Sequence, residues 1–246
     1  MYEISWSHFC EKARFCLDVK RLPFTIVRVN PFTRSQVRRL GKRGTVPVLT
    51  DGARVVDGSD AIARYLDEAY PDPPLLPADA EQRAEAEALA ARCDLELGPD
   101  ARRVAYDVAF AHPGLFEGTL TFRREPWRRV NPIFLRLLEP RLRRLFKIFP
   151  DDLEASRRRL RSLLSDLEKR LEGRDHLVGD RLTLADITAV SLLDPLELVP
   201  EFVRDRQFAP IFAWKRRLAR SHNRRQRASW LDGPPPIGDP RPDAPT

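Results

Sequence analysis

Apolar and polar positions along this 246-residue chain follow two rhythms, and the change comes near residue 78. Before it, β-rich runs alternate with helical ones. Met1–Trp6 predicts a short first strand. Ser7 then opens a helical pattern, with Phe9, Ala13, Cys16 and Leu17 on one face and Glu11, Lys12, Arg14 and Asp18 largely opposite. A serine followed in the first turn by Glu11 suits a helix N-terminus, where free N–H groups favour acceptors and negative charge. Phe24–Val29 is β-branched and aromatic and predicts a second strand. Val46–Leu49, Asp51-Gly52 and Arg54–Val56 read as strand, tight turn, strand. Ala61, Ile62, Tyr65, Leu66 and Ala69 give one helix face, ended by Tyr70-Pro71, and the proline-rich stretch Pro71–Pro77 reads as a linker.

Beyond it the period is helical. Asp79–Tyr106 is rich in Ala, Glu and Leu, interrupted by Pro99 alone, and predicts one or two long helices. Asp151–Gly173 repeats leucine at helical spacing, through Leu153, Leu160, Leu163, Leu164, Leu167 and Leu171, and Gly173 ends it. Thr183-Leu184-Ala185-Asp186 has the spacing of a capping box with Asp in place of Glu, and Leu182 and Ile187 flank it as a hydrophobic staple. Phe208–Ser221 predicts a last helix, and Gly233–Thr246, with its proline runs, predicts disorder. Within 107–150, Pro113, Pro126, Pro132, Pro140 and Pro150 are expected to chop the segment into pieces. Its apolar residues, among them Phe116, Phe122, Trp127 and Phe134, alternate with arginines.

Composition narrows the class. Hydrophobic residues make up 42% of the chain, enough for real cores, and no apolar run approaches the length of a membrane span. No charged-then-apolar leader opens the sequence. Cys10, Cys16 and Cys93 are odd in number and scattered, so a reducing, cytoplasmic setting is expected rather than a disulfide framework. The net charge of +7 is densest between Arg123 and Lys147. A solvated helix face is the favoured reading of that block, with peripheral membrane contact through 123–147 as its rival. Nucleic acid ranks lowest, since no zinc spacing, recognition helix or stacking motif accompanies the charge. His8, His112, His176 and His222 are isolated, and no metal site is expected.

The order β-α-β-(short α)-β-β-α is the thioredoxin pattern. Residues 2–77 resemble the N-terminal domain of cytosolic glutathione transferases in three places: the strand–Ser7-x-x-Cys10–helix start, the turn Thr45-Val46-Pro47-Val48-Leu49, and the helix Ser59-x-x-Ile62-x-x-Tyr65-Leu66. Asp180–Ile187 resembles the capping segment of that family's all-helical C-terminal domain. The resemblance implies an α/β thioredoxin-like, glutathione-binding domain over 1–77, an all-helical domain over 78–232 and a tail over 233–246. It also implies glutathione as co-substrate, a small electrophile as second substrate, and a homodimer.

The site residues follow from the same match. A thiol with a pKa of about 8.5 must be held as thiolate to act as a nucleophile near neutrality. A hydroxyl at a helix N-terminus supplies a hydrogen bond worth roughly 1.5–3 kcal/mol to a charged group, or about one to two pKa units. Ser7 aligns with the family's catalytic Ser or Cys. Cys10, one turn on, is the competing catalytic candidate, through mixed-disulfide chemistry. Glutathione is expected against Phe9, Thr45, Val46 and Pro47. In the family this proline is cis and presents the preceding backbone to the cysteinyl group of glutathione, much as an added strand would. Gly58, Ser59 and Asp60 would hold the γ-glutamyl end at the free N–H groups of a helix start, with a plain N-cap as the bland reading of Ser59. Here the chain departs from the family, which usually carries Glu or Gln at position 58. Asp57 or Asp60 is the nearest replacement for the ammonium partner. The leading function is thiol activation for attack on an apolar electrophile held against the helical domain. The alternatives are a non-catalytic interaction or membrane-docking module of the same fold, and a Cys10-dependent thiol reductase.

Overall fold

The computed structural model describes residues 1–31, 33–40, 44–112 and 132–222, the side chains of 132–136 and 222 excepted. The chain opens with β1 (Tyr2–Glu3), α1 (His8–Val19), β2 (Val27–Arg28), α2 (Ser35–Leu40), β3 (Val48–Asp51), β4 (Arg54–Asp57) and α3 (Ser59–Ala69). The sheet order is β2-β1-β3-β4, with β1 parallel to β2 and antiparallel to β3. This is the expected α/β arrangement, and the helices that follow complete it.

The first two strands are shorter than the β-branched runs that predict them. A turn closed by the Ser7 N–H on the Ile4 carbonyl at 3.0 Å lifts the chain off the sheet before Trp6. In the hairpin, Asp51 pairs with Arg54, so the turn is Gly52-Ala53, one residue later than expected. Gly52 takes φ +55, which a residue without Cβ adopts at little cost.

In the helical part, α4 (Ala80–Arg92) runs through a π-helical turn (Cys93–Leu97) into α5 (Gly98–Ala111). The wide turn lies immediately before Pro99, which has no N–H to continue the ladder, and the Gly98 N–H reaches back to the Cys93 carbonyl. Then follow α6 (Pro132–Phe146), α7 (Pro150–Leu171), α8 (Leu184–Leu192), a 3-10 turn (Asp194–Leu198), α9 (Pro200–Val203) and α10 (Ala209–His222). Proline divides this region at two of the expected places and not at a third, while Pro113 and Pro126 lie outside the described residues. Pro132 and Pro150 open helices, where the missing N–H is no loss, and Pro140 lies inside α6 without ending it. Gly173, at φ +68, turns the chain out of α7.

One apolar core runs from Met1 and Phe15 through Leu163 to Leu218, so the two halves share a single interior, with α1 packed on both α3 and α8. The 71–77 stretch is tied down more firmly than a free linker. Leu75 is buried, and its carbonyl accepts the Leu184 N–H at 2.7 Å. The start of α8 is held by the buried Asp186 carboxylate, which accepts the Leu177 N–H, the Thr183 N–H and the Thr183 hydroxyl at 2.8–2.9 Å. The tail 233–246, the aromatic residues Phe116, Phe122 and Trp127, and the arginines between 123 and 129 lie outside the described residues. Among those described, no helix is long and apolar enough to cross a membrane. Part of the basic block is neutralised internally, since Arg143 meets Glu139 at 2.7 Å and Asp107 at 3.1 Å.

Candidate active site

Ser7 is the N-cap of α1. Its backbone is extended, and its carbonyl accepts the Glu11 N–H at 3.0 Å, which starts the helix. Its Oγ accepts the Cys10 N–H at 3.4 Å, a long bond, and the same hydroxyl acts as a hydrogen-bond partner of the Cys10 thiol. The half-buried Ser7 lines a cavity of about 310 Å³ between the sheet domain and the helices. Phe9, Thr45 and Val46 line the same cavity. The Val46-Pro47 peptide is cis. Pro47 is absent from the lining, but its carbonyl accepts the Gly58 N–H at 3.0 Å, which fixes the start of α3 beside this turn.

Gly58, at φ +100, caps α3, so Ser59 is the first helical residue rather than the cap. Gly58, Ser59 and Asp60 are not on the cavity wall. Asp60 pairs with Arg64 one turn on, at 3.1 Å, which commits it within its own helix.

Cys10 does not join the site. Its side chain is fully buried and absent from the cavity wall. Burial and the nearby Glu3 push its thiol up to about 12, against weaker opposing help from Ser7. Such a thiol is a packed hydrophobe rather than a nucleophile.

Three cavity residues carry chemistry that sequence reading missed. His8 is buried, and burial with the adjacent Arg102 lowers its pKa to about 3, so it stays neutral. Arg102 and Tyr106 project from α5 with Ala105 and Ala109. The spacing 102, 105, 106, 109 is one helix face, the signal that could have found them. Burial raises the pKa of Tyr106, whose hydroxyl receives a hydrogen bond from Trp6, tying α5 to the loop before Ser7.

The family model for the glutathione S-transferase N-terminal domain matches residues 1–74, and that for the C-terminal domain matches residues 138–222. The chain belongs to the glutathione S-transferase family. Glutathione S-transferase Z1 of Arabidopsis thaliana is 40% identical over 84 residues, covering 32% of this chain and 38% of the relative. Maleylpyruvate isomerase of a Ralstonia species is 33% identical over 103 residues, covering 40% and 49% respectively. These alignments thus span under half the length of the curated relatives. Among solved structures, a glutathione S-transferase from Methylobacterium radiotolerans, in complex with glutathione sulfonate, superposes with TM-score 0.63 at 25% identity, covering 99% of this chain and 97% of that one.

Within this transferase fold the cavity brings Ser7, Phe9, Thr45 and Val46 together on the sheet side and sets Arg102 and Tyr106 opposite on α5. Arg14 also reaches the wall, but it is taken up by Glu3 at 2.7 Å and by Glu11. Among the described residues no cluster of three or more His, Cys, Asp or Glu is poised to hold a metal ion.

Proposed function

We propose that the chain is a glutathione transferase that holds the thiol of glutathione as thiolate at Ser7 and directs it at an apolar electrophile. The observation that carries this is the placement of Ser7. Its hydroxyl caps the twelve-residue helix α1 and lines the cavity that Val46 also lines. The Cys10 N–H occupies one lone pair only loosely, and the hydroxyl would turn its proton from the buried Cys10 thiol to the glutathione sulfur. The positive end of α1 adds to the stabilisation of an anion there. The tripeptide backbone would run along Val46, with its γ-glutamyl end toward Gly58 and Ser59. Tyr106, Phe146 and Leu198 would receive the apolar body of the second substrate. A Methylobacterium relative holding glutathione sulfonate supports the ligand. Homodimer formation is part of the same proposal and is read by light scattering.

Calorimetric titration with glutathione and a panel of electrophiles tests the reading. Ser7→Ala is expected to leave binding of glutathione largely intact, and to cut conjugation near neutrality by roughly 10–100-fold, the worth of one hydrogen bond to a charged group. The ultraviolet absorbance of the bound thiolate should disappear with it. Full activity in Ser7→Ala removes Ser7 from the chemistry.

The non-catalytic reading draws on one observation. Gly58 offers no side chain to the γ-glutamyl ammonium, and Asp60 is engaged by Arg64. Absence of glutathione binding in the same titration would decide for it. The Cys10 reductase receives no support from a buried thiol.

A further inference from the structure

The charge around the cavity is unevenly answered. Three arginines line it. Arg14 has Glu3 and Glu11, and Arg34 gives its Nε–H to the Pro31 carbonyl at 3.2 Å. Among the described residues Arg102 has neither kind of partner. Its Nε is shut off from solvent, yet it finds no hydrogen-bond acceptor among the described residues. The ionisable groups that act on it are Tyr106, Arg103 and Arg34, with no carboxylate among them. Burial first, and the two neighbouring arginines after it, lower its pKa, against a smaller opposing influence from Tyr106. This is the reverse of Arg92 or Arg159, each held up by carboxylates.

Arg102 is half-buried, and the Nε that is shut off from water without an acceptor is a cost to the fold, because a buried polar group is stabilised only when hydrogen-bonded. Phe146 lies under it, with the ring centroid 4.6 Å from the guanidinium carbon. That stacking fixes the plane of the group but satisfies none of its in-plane N–H donors, which are the edge a carboxylate engages with two parallel bonds. The cavity wall holds Ala105, Ala109, Leu145 and Phe146 beside His8, Arg34 and Tyr106, the last three within electrostatic reach of the guanidinium.

We propose that Arg102 is the anion-recognising residue of the electrophile half of the cavity, so that the second substrate carries a carboxylate on an apolar body. This rests on the reading of the cavity as a glutathione transferase site. The γ-glutamyl carboxylate of glutathione is assigned to the Gly58–Ser59 side and Arg102 stands on α5, while the glycine carboxylate is tested against Arg102 by the glutathione titration below. Arg102 selects among electrophiles rather than holding the common co-substrate.

The test uses the intact chain and three ligands: glutathione, S-(4-carboxybenzyl)glutathione and S-(4-methylbenzyl)glutathione. Calorimetry on the native protein is expected to show the carboxylated conjugate binding at least about tenfold more tightly than its methyl counterpart. Arg102→Gln should erase that preference, leave glutathione and the methyl conjugate within about twofold, and raise rather than lower the unliganded melting temperature. Arg102→Lys keeps the charge and should restore part of the preference. Equal affinities in the native protein, or a preference surviving Arg102→Gln, overturn the assignment while leaving the transferase reading in place. An equal loss of glutathione binding in Arg102→Gln assigns Arg102 to the tripeptide and overturns it as well. If native protein binds none of the three ligands, the transferase reading falls and this inference falls with it.

Discussion

Gly98 stands so close to the ring of Phe9 that a Cβ at position 98 would lie 2.7 Å from Phe9 Cζ. The contact joins the first turn of α1 to the first residue of α5, immediately after the π-helical turn. Phe9 also lines the cavity and meets the His8 ring at 4.5 Å, so its position couples the site to the packing of the two halves. Gly98→Ala must turn the ring away. Overpacking of this kind costs about 1–3 kcal/mol, to be read by urea denaturation. Affinity for glutathione should fall in parallel as the ring shifts into the cavity. An alanine variant as stable as the native protein would mean the ring yields freely.

Lys12 crosses the same boundary. It is fully buried on α1, and its Nζ meets Asp94 of the π-helical turn at 2.6 Å. Removing the carboxylate strands a buried ammonium, so Asp94→Ala should lose about 3–5 kcal/mol. The double variant Lys12→Met/Asp94→Ala should recover most of the loss, because no uncompensated charge remains. Equal losses in the single and double variants would show that the pair's burial, rather than its charge, holds the interface.

All three cysteines are buried, and burial pushes each thiol up to about 12. Native protein should resist alkylation by iodoacetamide at mildly alkaline pH and react at three sites once unfolded in urea. Cys10→Ala should cost on the order of 1–2 kcal/mol of stability and leave conjugation rates unchanged. Rapid labelling of Cys10 in the native state would return thiol chemistry to consideration.

The elements that sequence reading found share a cause. The hairpin, the leucine face of α7, the Thr183–Asp186 cap and the thioredoxin-like order all rest on local patterns within a dozen residues. Errors fell where tertiary contacts decide: strand ends set by the Ile4–Ser7 turn, Pro140 carried inside α6, and the 71–77 stretch pinned by Leu184. That Ser7, Phe9, Thr45 and Val46 would come together was legible because they follow motifs in one domain, and they line one cavity. Arg102 and Tyr106 were not, because their chemistry exists only once α5 is laid across the mouth of α1. Cys10 illustrates the converse, a residue with the right spacing whose burial removes its reactivity.

Two buried groups on the cavity give the protein an unusual response to pH. Burial and Arg102 depress His8 from 6.5 to about 3, against a bond to the Gly98 backbone. Unfolded chain therefore binds a proton at His8 that native chain does not. The His8 contribution is complete above about pH 6.5 and is lost as pH falls toward 3. Asp194 behaves oppositely. Burial, with Glu11 and Glu197 nearby, raises it from 3.8 to about 7, although Lys215 at 2.7 Å opposes the shift. Its contribution is complete below about pH 3.8 and is lost as pH rises through 7. Between those limits the two slopes have opposite signs and largely offset each other. From about pH 4.5 to 6.5 these two groups together should leave the urea midpoint nearly level, on which Asp94 and Asp186, also raised by burial, impose a fall with rising pH. Asp194→Asn keeps Lys215 paired with Glu197 at 3.0 Å and should tilt the midpoint upward with pH relative to the native protein. His8→Gln should tilt it downward. If both variants keep the native slope, neither group titrates differently on folding, and the cavity is wetter than its packing indicates.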